Sequence, residues 1–242
     1  METVQEVLAA SVIAEDRVTL PSVQLDRSLY TKVNDVLSKA GGKWNRSAKA
    51  HLFSRDPRTV LAEYLESGKK PVSVKQQLQA FYTPQSLVER MVQLAQIEPE
   101  HLVLEPSAGD GRIAHAVQKL GGSVHVCEID PVQREKLALE FRVVGEDFLE
   151  YNPQKSYDRI LMNPPFTKGQ DIKHVLHAFE HLKEGGKLVA ITSSGWTFRS
   201  DKKHAQFREF AFANCSSYES LPEDTFKQSG TKVKTELLVL VK

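Results

Sequence analysis

The sequence predicts a mostly parallel α/β sheet with helices on both faces, preceded by a small basic module. Two observations carry this. Beyond residue 76, apolar runs of strand length (HLVLEP, SVHVCEID, YDRILMN, KLVAITSS and ELLVLV) recur, with segments of helical period such as RIAHAVQKL and IKHVLHAFEHL between the first four. Strands alternating with helices build parallel sheets covered on both faces. Before residue 76 the text changes: residues 27–75 hold eleven basic side chains against four acidic ones, while the whole chain is nearly neutral at +1. The expected division is therefore 1–75, a small basic module, and 76–242, the α/β domain.

Composition bounds the rest. A chain of 242 residues with 40% hydrophobic and 26% charged residues can bury a substantial core and suits a soluble, cytoplasmic protein. The early run VLAASVIA follows Glu2 and Glu6 and is far too short to span a bilayer. Cys127 and Cys215 show neither metal spacing nor a disulfide framework, and Cys127 reads as a small core residue.

Taken in order, GGKWNRSAKAHLFS reads as a hairpin around a polar turn, with Trp44 between Lys43 and Arg46 as a plausible nucleic-acid contact. The first strand of the α/β domain ends EPSAGDG and leads into a helix near Arg112. Gly109 and Gly111 permit a tight turn, and with Ala114 they form G-x-G-x-x-A, open to reading as a dinucleotide fingerprint or as a simple joining turn. The second strand ends CEID, placing Glu128 and Asp130 where ribose hydroxyls could donate to them. Asp147 follows in GEDFLEY, with Phe148 able to lie against a base, and Glu105 could face a cationic group. Carboxylates around a glycine turn suit an adenosine bearing a positively charged amino acid better than a pyrophosphate.

The stretch ILMNPPFTKG must end a strand, because two prolines remove backbone donors and fix φ. Such strand ends are where open parallel sheets place ligands. The last strand, preceded by Pro222 and Gly230, fits an antiparallel closing strand. His174, His177 and His181 share a helix face, but no acids or cysteines converge with them, so no metal is expected. GWTFRSDKKHAQFRE (195–209) reads as a basic, aromatic loop whose Arg199, Lys202 and Lys203 suit phosphates.

The block FYTPQSLVERMVQLAQIEPEHLVLEPSAGDG, then VHVCEIDP, GEDFLEY and NPPF, resembles the S-adenosylmethionine-dependent N6-adenine DNA methyltransferases whose cofactor motifs precede the catalytic one. The resemblance covers roughly residues 80–242 and implies a class I, Rossmann-like methyltransferase fold. It further implies that Thr83, Glu105, Ala108, Gly109 and Gly111 hold the methionine end of S-adenosyl-L-methionine. Glu128 would bind the ribose, Ile129 would pack on the adenine, and Asp147 with Phe148 would recognise that ring.

In the same way Asn163, Pro164, Pro165 and Phe166 would be the catalytic motif. LPEDTFKQSG nominates Phe226 for the far side of a flipped target base. Many relatives of this motif order carry a large C-terminal recognition domain, whereas this sequence ends soon after ELLVLV. The expectation is then that the basic module reads the target, that a partner does, or that recognition is relaxed. The same chemistry on RNA, and a non-catalytic nucleic-acid-binding subunit, stand as alternatives to DNA methylation.

Overall fold

A computed structural model describes residues 1–54, 56–68, 82–153, 156–226 and 233–242. Arg55, Lys69, Lys70 and Lys75 of the basic segment, and residues 227–230 of LPEDTFKQSG, lie outside the described residues. The chain forms two compact units, Met1–Leu78 and Gln79–Lys242.

The first unit runs α1 (Val4–Ala9), β1 (Val12–Ile13), β2 (Arg17–Thr19), α2 (Arg27–Lys39), β3 (Lys43–Asn45), β4 (Ala50–Leu52) and α3 (Pro57–Ser67). Asp26 starts α2 by accepting from the amides of Ser28 and Leu29. Val33, Val36 and Leu37 then recur at helical spacing and are buried with Leu61 and Tyr64 of α3 in one apolar cluster. Asp56 and Pro57 begin α3 and left-handed Gly68 ends it. The strands form an antiparallel sheet in the order β1-β2-β4-β3, and β3 with β4 make the hairpin, Trp44 opposite His51.

The second unit runs α4 (Gln85–Ala95), β5 (Leu102–Glu105), α5 (Arg112–Gln118), β6 (Ser123–Cys127), α6 (Pro131–Leu137), β7 (Arg142–Gly145), β8 (Tyr157–Met162), α7 (Gln170–Glu180), β9 (Leu182–Ser193), α8 (Gly195–Phe198), α9 (Lys202–Asn214), β10 (Cys215–Ser220) and β11 (Thr235–Val241). Its described strands form one sheet in the order β10-β11-β9-β8-β5-β6-β7. The five strands from β9 through β7 are parallel, and β11 runs antiparallel to both its neighbours. This is the mostly parallel, Rossmann-like α/β sheet with the closing antiparallel strand.

Chain order reverses between β5 and β8, since β5 proceeds outward to β6 and β7 before the chain returns to β8 on the other flank. Parallel pairing of β5 with β8, Leu104 opposite Ile160, puts EPSAGDG and NPPF on the same carboxyl edge, where such sheets leave a crevice. Two apolar clusters cover the sheet, one with α4 and α5 residues such as Met91 and Val117, the other with α7 and α9 residues such as Val175 and Phe207.

One expectation fails here. Residues 195–209 are not a loop: α8 and α9 take up most of them, Trp196 and Phe207 are buried in the core, and Arg208 donates to the carbonyls of Trp196 and Arg199. Helical spacing of His204, Phe207 and Ala211 buries one face, so those aromatics are committed to packing. Arg199 and Lys202 remain exposed.

Candidate active site

The turn after β5 is shaped by two glycines. Gly109 (φ +56°) and Gly111 (φ +78°) are left-handed, and a Cβ on Gly111 would come within 2.7 Å of Leu137 Cδ2. Only glycine fits there without strain. Ala108 donates to the carbonyl of Cys127, and Gly109 donates to Glu128 Oε2 at 2.6 Å. The end of β6 is thereby locked against the turn after β5.

Glu128 is 8% exposed, and its Oε1 accepts from the Asp130 amide at 2.8 Å. Burial raises its carboxyl above the ordinary value, while the two backbone donors pull it back. Arg134 of α6 fixes the same loop by donating to the carbonyls of Glu128 and Ile129. Ile129 is 52% exposed, an apolar side chain facing solvent at the strand end. Asp130 caps α6 through Val132. Glu105 is 2% exposed and accepts from the Ala114 amide at 2.7 Å. Burial pushes its carboxyl well above the usual carboxylate range.

At the end of β7, Asp147 caps a 3₁₀ turn over Phe148–Glu150 by accepting from Leu149. The Phe148 ring is a correction to the sequence reading. It is 2% exposed and packs among His174, His177 and His181, with ring centroids 5.8, 4.8 and 6.3 Å away. It fills the core under this edge of the sheet and offers no open face to a base. The three histidines that looked like a separate signal are mostly its packing partners. Among the described residues no group of three or more His, Cys, Asp or Glu is arranged to hold a metal ion.

NPPF follows β8. Asn163 Nδ2 donates to Thr83 Oγ1 at 3.1 Å, and the Thr83 carbonyl accepts from Arg112 at 2.6 Å. Arg112 also pairs with Asp110, and its guanidinium lies 5.3 Å from the Tyr82 ring centroid. Thr83 thus links the turn after β5 to the motif after β8. Tyr82, inside FYTP, and Arg112, directly after EPSAGDG, carry no local signal of this role; their contacts reveal it.

Phe166 and Phe226 are both buried, edge to face, centroids 6.3 Å apart at 73°. Two parallel rings admitting a base would stand about 7 Å apart, twice a close carbon–carbon contact. The pair is brought together, with its slot closed. Past Phe166, Lys203 donates to the carbonyls of Lys168 and Gly169. Asp171, fully buried at the start of α7, accepts from the Ser193 amide and hydroxyl at 2.8 and 2.6 Å.

In the first unit Lys43, Trp44 and Arg46 are exposed on the hairpin. Trp44 is 48% exposed, its ring edge-on to His51 at 5.2 Å. His51 itself is buried and bonded to Asn34 of α2 at 2.9 Å.

The donor set can be tested against S-adenosylmethionine. Buried carboxylates at the ends of β5 and β6 match an ammonium and a ribose, and the glycine turn leaves room for close backbone approach. The residues fit that cofactor. Comparison with known proteins agrees. The family model described as "Methyltransferase small domain" matches residues 86–213. The type II methyltransferase M.TthHB8I of Thermus thermophilus is 34% identical over 118 residues, 47% of this chain. That match spans 27% of the relative's length.

Among solved structures, the M protein of the type I restriction enzyme EcoKI superposes with a TM-score of 0.57 at 15% identity, over 89% of this chain and 54% of that one. A Listeria monocytogenes protein described as a class I S-adenosylmethionine-dependent methyltransferase does so with 0.54 at 16% identity, over 76% and 67%. The family match takes in the turn after β5, the end of β6 and the NPPF motif together, and this chain accordingly belongs to the methyltransferase small-domain family, with S-adenosylmethionine as its cofactor.

Proposed function

We propose that the second unit transfers the methyl group to the N6 amine of adenine in DNA, after the base has rotated out of its stack. The observation that carries this is Asn163-Pro-Pro-Phe166 just past the end of β8, the strand paired with β5 that leads into the cofactor turn, with Asn163 braced by Thr83. The 34% identity to a type II methyltransferase favours DNA.

Each residue has a part. The cofactor supplies a methyl group on a sulfonium. Thr83, Glu105, Ala108, Gly109 and Gly111 surround its methionine end. Each Glu128 oxygen accepts one backbone N–H and keeps a second lone-pair direction for a ribose hydroxyl. Ile129 covers one face of the cofactor's adenine and Asp147 accepts from its amine.

The target amine is a poor nucleophile because its lone pair is delocalised into the ring. The side-chain oxygen of Asn163 and the carbonyl of Pro164 accept from its two hydrogens and draw the nitrogen toward tetrahedral geometry. Pro165 stiffens that backbone, and Phe166 fixes the ring plane. The new N–C bond would form as the methyl's bond to the sulfonium breaks, its electron pair returning to sulfur as a neutral thioether, and one amine proton would leave to solvent. Rate comes from orientation and preorganised acceptors. Phe226 covers the base from the other side once the two rings part.

Lys43, Trp44 and Arg46 of the first unit's hairpin, and independently Arg199 and Lys202 of the second unit, offer exposed side chains to nucleic acid. Incubating the protein with labelled cofactor and separate DNA and RNA pools, then digesting to nucleosides, tests the reading. N6-methyldeoxyadenosine from the DNA pool is expected. Label only in RNA would move the substrate, and label on cytosine or on no base would overturn the adenine assignment.

A further inference from the structure

The turn that follows the catalytic motif contains an unfavourable backbone conformation, and a lysine from α9 reaches its carbonyls. Lys168 (φ +56°) and Gly169 (φ +66°) are successive left-handed residues. Lysine carries a Cβ that this region penalises, so the conformation persists only where its surroundings impose it. The Gly169 amide donates to the Phe166 carbonyl at 3.1 Å, closing the turn onto the motif's aromatic residue.

Lys203 Nζ donates to the carbonyls of both Lys168 (3.0 Å) and Gly169 (2.5 Å). A Cβ on Gly169 would collide with that ammonium, so the glycine leaves room for the cation as well as for its own φ. The lysine is itself well anchored. It sits in the first turn of α9, where Asp201 accepts from the amide and Nδ1 of His204, and where Arg208 ties α9 to the carbonyls of Trp196 and Arg199.

We infer that Lys203 is a positioning residue for methyl transfer, an ammonium clasp from α9 that sets the exit of the NPPF segment and hence the plane of Phe166. The inference rests on the functional reading above. Contacts among the described residues that hold the segment include Asn163 with Thr83, residues 168 and 169 with Lys203, and Asp171 with Ser193. This revises the sequence expectation for Lys203. Arg199 and Lys202 project into solvent, whereas Lys203 spends its donors on backbone carbonyls. Small misplacements at a reacting centre cost rate far more than they cost binding.

The test compares full-length Lys203→Met, Lys203→Arg and Lys202→Met. In the ligand-free protein, Lys203→Met should speed hydrogen exchange at the Gly169 amide, and Lys202→Met should not. In methyl transfer, Lys203→Met should lower kcat on the order of 10- to 100-fold. KM for nucleic acid and its salt slope should hold, and Lys203→Arg should recover part of the rate.

If Lys203→Met instead weakens binding with a salt slope shallower by about one, at unchanged kcat, the residue is a phosphate contact and the inference falls. Unchanged exchange, or faster exchange with unchanged kcat, also overturns it. Absence of transfer by the unmodified protein would sink the functional reading instead, and the exchange measurement would still decide whether the clasp exists.

Discussion

The two units carry charge in opposite ways. In the methyltransferase unit Glu105, Glu128 and Asp171 are buried, and each accepts from at least one backbone amide. In the first unit the ion pairs among the described residues join Arg17 to Asp16, Lys39 to Asp35 and Arg58 to Asp56, and none involves Lys43, Arg46 or Lys49 of the hairpin. A carboxylate buried and aimed by amides is preorganised for one small molecule, and its desolvation makes an unmatched ligand costly. Exposed, unpaired cations around a half-exposed tryptophan impose no fixed geometry and suit a polyanion whose sequence varies. On the proposed reading, selectivity for the cofactor and grip on the substrate call for opposite burial.

The sharpest way to break this contrast lies at the rim of the buried site. Phe166→Leu keeps most of the apolar volume, so stability should change by less than about 1.5 kcal/mol. The flat face is lost, and about 1–3 kcal/mol of grip on a flipped base should go with it. Turnover at subsaturating nucleic acid reads this loss directly. Retained turnover would mean that Phe166 is a core residue only.

Glu128 sharpens the buried side. Replacing it with Ala should weaken cofactor binding by roughly 1.5–3 kcal/mol, the scale of hydrogen bonds to a charged group. The pH dependence has a definite sign. Burial raises the Glu128 carboxyl in the free protein, and ribose hydroxyls donate to its ionised form, so binding expels a proton. Cofactor affinity should therefore climb as pH rises through the range in which this carboxyl ionises, and level off once it is ionised. In Glu128→Gln that climb should shrink. Calorimetry across pH checks both statements, and a flat wild-type profile would contradict the assignment.

The exposed side should show the smallest effect and the strongest salt dependence. Replacing Lys43, Arg46 and Lys49 with Gln should flatten the slope of log affinity against log salt by about 2–3 for duplex DNA, and leave cofactor affinity alone. Equal slopes would remove the hairpin as a nucleic-acid grip and return that role to Arg199 and Lys202.

Legibility in the sequence followed the same physical division. Strands β5, β6, β8, β9 and β11 announce themselves as apolar runs because both faces of the sheet are covered. The edge strand β10 is the polar run CSSYES, exposed along most of its length, and offers no such signal. The strand-end carboxylates were readable because a strand's end fixes where its next residues lie. What holds the NPPF segment was not readable. Thr83 and Asn163 are 80 positions apart, and Lys203 reaches Lys168 across 35, contacts that exist only once the sheet has assembled. Phe148 was assigned a ligand's face because nothing local distinguishes a buried aromatic from a stacking one. Its histidine neighbours sit on α7 and at its C-terminal end, a separate element.

On the proposed reading, Asn163 acts on the target amine and leaves the cofactor to other residues. Asn163→Ala in the full-length protein separates the two, with cofactor affinity measured by calorimetry and methyl transfer by single turnover. Affinity should stay close to that of the unmodified protein, because the carboxylates and the glycine turn are untouched. Transfer should fall by a factor on the order of 100 to 1,000, the cost of removing one preorganised partner of a reacting group. Near-normal transfer would contradict the claim, and so would a loss of cofactor affinity large enough to account for the lost rate.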